Sequence, residues 1–440
     1  MTQHLQPWST LALAVTLGLA NLAQASEQSA SNGFVEDSSL DLLARNLFWH
    51  QTAKGDPQRD WSQALMLNYS SGFTQGTLGV GVDAYGFLGL RLDGHSGHSG
   101  GPTVPQDSSG NPADSWAKAG GDVKLRIGST TVKVGDLQPQ APVFATADNY
   151  LIPQTAEGFS VLSHDIAHLT LDAGRFTSGT GTTTQRHDGD IMAAYAGVTA
   201  RSASYAGARY RFSPEFTAAL YAGNLEDVWN QYYTNLNYAH AFNAEQALTL
   251  DGNLYRTLDA GSAKAGPIDT TAFSLSAAFT QGPHTFTLAG QHVNGDEPFD
   301  YAGFGSTRDG VAGGRYGNGI FLADSLQYSD FNGPHETSLQ ARYDLDLSTL
   351  GVPGLGLMAR YVHGSGIDGS HTPGNSAYAG FYGHDDSEHE TDAEVKYTVP
   401  SGPAKHLTIH LRQAWHSGDA ATGGHLMQTR LITEYPLSIF

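Results

Sequence analysis

The chain has 440 residues, with 43 acidic against 23 basic side chains for a formal charge of −20, and no cysteine. So acidic a balance excludes a basic nucleic-acid face, and the missing cysteine excludes a disulfide framework. Hydrophobic residues make up 40% of the chain, and only the start carries an apolar run of near-spanning length, which excludes a bundle of membrane helices.

That run, Leu11 to Ala20, leads into Ala23-Gln24-Ala25, a small-x-small cleavage site. Residues 1–25 therefore read as a secretory signal peptide, although its leading stretch has only His4 where a Lys or Arg is usual. Residues 26–440 read as one transmembrane β-barrel domain, with 27–38 as a polar lead-in. Beyond it the chain alternates, as in "VKLRIGSTTVKVGDL", "TSLQARYDLDL" and "HLTIHLRQAW". On an extended chain Val123, Leu125 and Ile127 share one face and Lys124 and Arg126 the other. Strands are predicted near 39–49, 61–71, 77–90, 115–127, 131–136, 158–164, 169–178, 202–212 and 215–223. The second half adds 229–240, 246–258, 270–280, 284–293, 335–347, 356–363, 390–399, 406–416 and 427–440.

Tight turns fall at Gly128-Ser129-Thr130, Asp165-Ile166-Ala167, Ser213-Pro214-Glu215, Gln281-Gly282-Pro283 and Gly351 to Gly354. Longer polar segments fall at about 91–113, 137–157, 179–201, 294–334 and 364–389. Short periplasmic turns opposite long external loops are the mark of an outer-membrane barrel. Gly319 to Tyr328 also alternates, but counting it makes the total odd and sets the first and last strands parallel at the seam. It is assigned to a loop folded inward. The fold class is all-β, a transmembrane antiparallel β-barrel of about 18 strands with some loops inside the lumen.

Alternation also sorts the charges. Lys124, Arg126, Lys133, Arg342, Arg360, Lys396, His410, Arg412 and Arg430 each alternate with apolar neighbours. Facing lipid, a cation costs about 2–4 kcal/mol at the bilayer midplane, so these face the lumen. A spaced column of cations lowers the barrier for an anion moving between them, which makes the column a candidate carboxylate path. The alternative is that these cations simply pair with Asp122, Asp344, Asp392 and Glu394 on neighbouring wet positions.

Longer strings carry a family likeness: Phe34-Val35-Glu36-Asp37-Ser38-Ser39-Leu40, Ser71-Gly72-Phe73-Thr74-Gln75-Gly76, Pro142-Val143-Phe144 and Leu151-Ile152-Pro153-Gln154-Thr155. With them go Leu225-Glu226-Asp227-Val228-Trp229, Gln327 to Pro334, and the closing Glu434-Tyr435-Pro436-Leu437. In this order, over essentially the whole mature chain, they resemble the OprD family of substrate-specific outer-membrane porins. The resemblance implies a monomeric 18-stranded channel in the outer membrane of a Gram-negative bacterium, taking up small water-soluble compounds, typically carboxylates. It implies inward loops at about 137–157 and 294–334, and a constriction at Ser325, Tyr328 and Asp330, which match a Ser-x-x-Tyr-x-Asp pattern. Without it, Asp330 reads as a turn residue ahead of Asn332-Gly333. The chain departs from the family at His410, where a second arginine is usual, and at Tyr150, also assigned to the constriction, where a basic residue is expected. An ordinary histidine is mostly uncharged at neutral pH, and a phenol at 150 suits aromatic carboxylates.

Two clusters mimic active-site chemistry. Gly97-His98-Ser99-Gly100-Gly101 fits the Gly-x-Ser-x-Gly pattern but lacks the following helix of a nucleophile elbow. His384-Asp385-Asp386 with Glu388-His389-Glu390 has ligand-type side chains without metal-fixing spacing, and reads as a hydrated external loop that engages divalent cations at a lipopolysaccharide surface. No catalytic, cofactor-binding or metal residue is assigned and no cofactor is expected. The partners are membrane lipid, lipopolysaccharide and small carboxylate permeants. The rival classes are a barrel hydrolase and an exported soluble β-sandwich; a heat-modifiable gel shift separates a barrel from the sandwich.

Overall fold

The computed structural model describes residues 26–52, 57–93, 101–107, 109–305 and 316–440. The signal peptide and the Gly97 to Gly100 motif lie outside the described residues. Eighteen antiparallel strands form one sheet closed on itself. They are Ser39–Thr52, Gln58–Ser70, Leu78–Asp93, Ser115–Ile127, Thr130–Leu137, Thr155–Ile166, Leu169–Thr180, Ala203–Arg211 and Phe216–Leu225. After these come Trp229–Ala241, Gln246–Asp259, Asp269–Gln281, His284–Asn294, Thr337–Asp346, Leu355–Asp368, His384–Thr398, Thr408–Gly418 and Leu426–Ser438. Each meets a predicted strand. The seam joins the ends of the chain antiparallel, from Asp41 opposite Ser438 to Thr52 opposite Met427. At this size a barrel has an aqueous lumen.

Facing follows the pleat. Val123 and Ile127 keep 49% and 58% of their surface exposed on the outside, while Lys124 and Arg126 inside keep 5% and 9%. Leu65, Leu88, Leu220, Leu275, Leu288, Leu339 and Leu411 continue the outer apolar belt. A belt of that extent is untenable in water and matches hydrocarbon, where a closed barrel leaves no strand edge unpaired. Trp61, Tyr232, Phe273 and Trp415 border it towards one rim, and Tyr210, Phe212, Phe242 and Phe286 towards the other. Such aromatic girdles sit at lipid–water interfaces.

Three features differ from the sequence expectation. Gly319 to Tyr328 is a loop, as assigned, but the wet-inside rule breaks where loops fold in. Phe144, Ile191, Phe299, Phe304 and Leu322 of the loops pack on Tyr205, Tyr221 and Tyr255 of the wall, and Leu151 and Ile152 pack on Leu47, Trp49 and Met66. These are apolar cores inside the lumen. External connections are also unequal, with only residues 226–228 between Leu225 and Trp229, because only a long loop reaches the axis and returns. Finally, His384 to Glu390 is not a hydrated loop. It opens the strand His384–Thr398, with Glu388, Glu390, Asp392 and Glu394 buried on the lumen side. Carboxylates at every second position carry the period there, so no apolar face marked it.

Candidate functional site

One wall gathers the arginines. Arg342 stands directly opposite Arg360, and Arg412 opposite Arg430, with the strand His384–Thr398 between the two pairs. That strand sets Asp392 opposite Arg360 and Glu394 opposite Arg412. Each of these arginines has an apolar outward neighbour in Ala341, Ala359, Leu411 or Leu431, although Gln413 and Thr429 also face outward and bond to each other, so the pleat aims the cations inward.

The cations are largely paired. Arg360 Nε is 2.8 Å from Asp392, Arg342 grips Asp344 through two bonds of 2.7 Å, and Glu394 holds Arg412 Nε at 2.8 Å and His410 Nε2 at 2.9 Å. Asp83 takes Lys124 at 2.6 Å and also Lys133, which lies 3.7 Å from Asp122. The partner acids named from sequence, Asp122, Asp344, Asp392 and Glu394, therefore do pair, and Asp83 joins them. Lys396 is half-buried opposite His410 and makes no ion pair among the described residues. Arg126 lies nearest the turn end, bonded to Gln28 of the lead-in at 3.1 Å, with its guanidinium 4.0 Å from the centre of the Phe73 ring.

Arg430 behaves differently. Only 3% exposed, it donates to Gln428 Oε1 at 2.8 Å and to the carbonyl of Gln327 at 2.9 Å, and it stacks on Tyr150 at 5.0 Å. It thus touches both inward loops, residues 138–154 and 295–336. Tyr150 is under a cation and adds no rung of its own.

The constriction pattern divides in two. Ser325 and Asp330 come together, Ser325 Oγ donating to Asp330 at 2.5 Å, and Tyr195 and Tyr301 donate to its other oxygen at 2.7 and 2.9 Å. Burial beside Asp330 pushes the Tyr301 phenol far above its ordinary range, so it stays a donor. Tyr328 is not part of this cluster. Its ring packs on His416 with centroids 4.8 Å apart, because its backbone N–H and that of Ser329 are fixed on Glu390 at 3.0 and 2.9 Å. Four groups complete the arrangement, three absent from the sequence reading and one, Glu390, placed there in an external loop. Arg45 is clamped between Asp148 at 2.6 Å and Glu434 at 2.7 Å and donates to the Tyr150 carbonyl at 2.8 Å. Lys118 is buried against the carbonyls of Pro153 and Gly181. Asp300 accepts from the backbone of Tyr195 and Ala196 and from the Tyr378 hydroxyl, tying three external loops together. Glu390 is the fourth. Lys118 was within reach, being six residues, three pleats, before Lys124 on the same face.

The wall thus presents guanidinium groups whose charge is oriented and partly balanced by carboxylates, beside the cluster of hydroxyls around Asp330. The chain matches the model for outer membrane porins of the OprD family over residues 32–439. It is 50% identical to Porin D of Pseudomonas aeruginosa over 441 residues, covering 98% of this chain and 99% of that protein. The crystal structure of Pseudomonas aeruginosa OprD superposes with a TM-score of 0.83 at 47% identity, over 95% of this chain and 100% of that one. The crystal structure of Pseudomonas aeruginosa OpdK with vanillate gives a TM-score of 0.81 at 33% identity, over 92% and 100%.

Proposed function

From the premise that the chain belongs to the OprD family of outer-membrane porins, we propose that its permeants are small carboxylates, drawn along the arginine wall and sieved at Asp330. The observation that carries this is how Arg412 is held. Glu394 engages it through Nε alone, at 2.8 Å, and the side chain keeps 20% exposure, so its terminal N–H groups are presented to the lumen. A guanidinium fixed at one edge with its fork free is a docking point for a carboxylate. The structure of OpdK with vanillate, at 33% identity, pairs a relative with an aromatic carboxylate, a permeant class that such a guanidinium also suits.

The rungs are Arg360, Arg412, His410 and Lys396 on the arginine wall, with Lys124, Lys133 and Arg126 on the other side of the seam; Arg342 adds field. Arg430 braces the loops instead of carrying the permeant. The barrel acts as a monomer in outer-membrane lipid, with lipopolysaccharide around its long-loop end, after cleavage near Ser26. No covalent step is required. In planar bilayers or swelling liposomes, Arg412→Ala lowers propionate flux about fivefold, equivalent to one charge-assisted hydrogen bond of about 1 kcal/mol in a wet site, and leaves glycerol flux unchanged. Equal loss for both solutes overturns the proposed path.

A further inference from the structure

Away from the arginine wall, the lumen-facing positions change from cations to carboxamides. Asn235 sits opposite Asn253, and Asn237 opposite Asp251, with Ser274 next in the row. Three amides converge on one carboxylate: Asn237 and Asn235 donate to Asp251 Oδ2 at 2.9 and 3.0 Å, and Asn253 to Oδ1 at 2.6 Å. The Tyr233 hydroxyl, donating to Asn253 Oδ1 at 2.6 Å, fixes that amide in turn. Neutral donors orient Asp251 without cancelling its charge, unlike Asp83, Asp392 and Glu394, each of which is spent on a cation.

A cavity of about 230 Å³ lies against this carboxylate, bounded by Asn235, Asn253 and Arg209 and roofed by Pro142 and Phe321 of the two inward loops. Arg209 is exposed in the lumen and forms no ion pair among the described residues. Asp172 on the adjacent strand, held by the Tyr205 hydroxyl at 3.1 Å, attracts Arg209 without forming an ion pair with it. Arg209 lies two residues from the end of Ala203–Arg211, and Asp251 five residues into Gln246–Asp259, so the cavity is in the turn-end half, past the filter for an inbound solute. None of the arginine-wall or filter residues lines it.

We propose that this cavity is an exit-side binding site for a small zwitterion, its carboxylate on Arg209 and its ammonium on Asp251. The proposal deepens the permeation reading and rests on it. Pockets for drug-sized ligands run from about 300 to 1,000 Å³, so this one takes a molecule of few heavy atoms. A pure anion is drawn by Arg209 and repelled by Asp251. A pure cation meets the reverse, and only a molecule carrying both charges gains at both ends. Such a site gives a dipolar solute a foothold after it leaves the arginines, which shortens the single barrier to the periplasm into two lower ones.

The test compares L-alanine with propionate, its analogue without the ammonium, in liposome-swelling assays at sub-saturating concentration. Asp251→Asn lowers alanine flux about fivefold, the loss of one ionic contact of about 1 kcal/mol, while propionate flux does not fall. Ala219→Leu, which fills the cavity from the wall where Ala219 lines it, reproduces the alanine defect with both charges intact. Heat-modifiable mobility verifies that each variant is folded. Unchanged alanine flux in both folded variants, or equal loss for alanine and propionate, overturns the site. Failure of the Arg412→Ala propionate test, by contrast, overturns the carboxylate path and leaves the alanine–propionate difference to be read on its own.

Discussion

Glu390 stands where the wall meets the proposed filter at Asp330, and removing it isolates what holds the turn at Tyr328 and Ser329 in shape. Its carboxylate, 0% exposed, accepts the N–H groups of Tyr328 and Ser329 at 3.0 and 2.9 Å. A buried donor left without an acceptor costs about 1–3 kcal/mol. Two such donors amount to roughly 2–6 kcal/mol. Relief of repulsion from Asp392, one pleat along the same face, offsets part of this, leaving about 2–4 kcal/mol against the closed turn in Glu390→Ala. The flanks stay tied, by Arg430 to the Gln327 carbonyl at 2.9 Å and by Gln291 to the Phe331 carbonyl at 2.7 Å. The loop therefore loosens over residues 328–330 without leaving the lumen. At 1.4 kcal/mol per factor of ten, the open-to-closed ratio rises about 30-fold to 700-fold. Single-channel recording in planar bilayers reads this as a larger mean conductance with frequent transitions, and selectivity for propionate over glycerol falls. Glu390→Gln, which keeps one carbonyl acceptor, gives an intermediate phenotype. A folded Glu390→Ala channel with wild-type conductance, noise and selectivity refutes the claim that these two bonds position the filter.

Two further outcomes follow from the same geometry. Leu411→Arg puts a cation on the outer belt, where Leu411 is 42% exposed; urea unfolding in lipid vesicles shows a loss of about 2–4 kcal/mol, whereas a loss below 1 kcal/mol means that this face does not meet hydrocarbon. Arg45→Ala leaves Asp148 and Glu434 without their shared cation. Both carboxylates keep about a third of their side-chain surface in solvent, so the loss falls below the about 3–5 kcal/mol of a fully buried pair, and limited proteolysis of the folded variant cuts within residues 138–154 faster than in wild type.

Where one rule governs both faces of a strand, the sequence declares it. Val123 to Ile127 shows the greasy and wet sides in five residues, and strands read from the same period meet all eighteen of the barrel. Legibility fails where the lumen is filled. Leu43, Arg45, Leu47 and Trp49 share one face, and three of them are apolar because inward loops pack there. The alternation that would have exposed Arg45 is erased by the partner it serves. Glu390 was hidden for the opposite reason. Its strand opens with carboxylates at alternate positions and polar residues between them, which in isolation is indistinguishable from a solvated loop. The cluster at Asp330 is harder still, since Tyr195, Tyr301 and Asp330 meet only after two loops separated by over a hundred residues have folded into one cylinder. Loops of that kind are specified by tertiary contacts, and a two-residue period has nothing to say about them.

Pairing and passage, set against each other by the sequence, form one arrangement on this wall. A row of bare guanidinium groups would bind an anion tightly and hold it, since conduction requires affinity strong enough to admit and weak enough to release. Glu394 shared between Arg412 and His410, and Asp392 opposite Arg360, set each cation's orientation and shallow its well. On the proposed path a permeant carboxylate competes with these fixed ones for the free edge of each fork, leaving every rung as easily as it arrives. Glu394→Gln discriminates between this picture and a simple field effect. If the pairs only weaken attraction, the variant carries propionate faster at every concentration. If they also permit release, its propionate current saturates at lower concentration and reaches a lower maximum, and single-channel conductance measured over a propionate series separates the two.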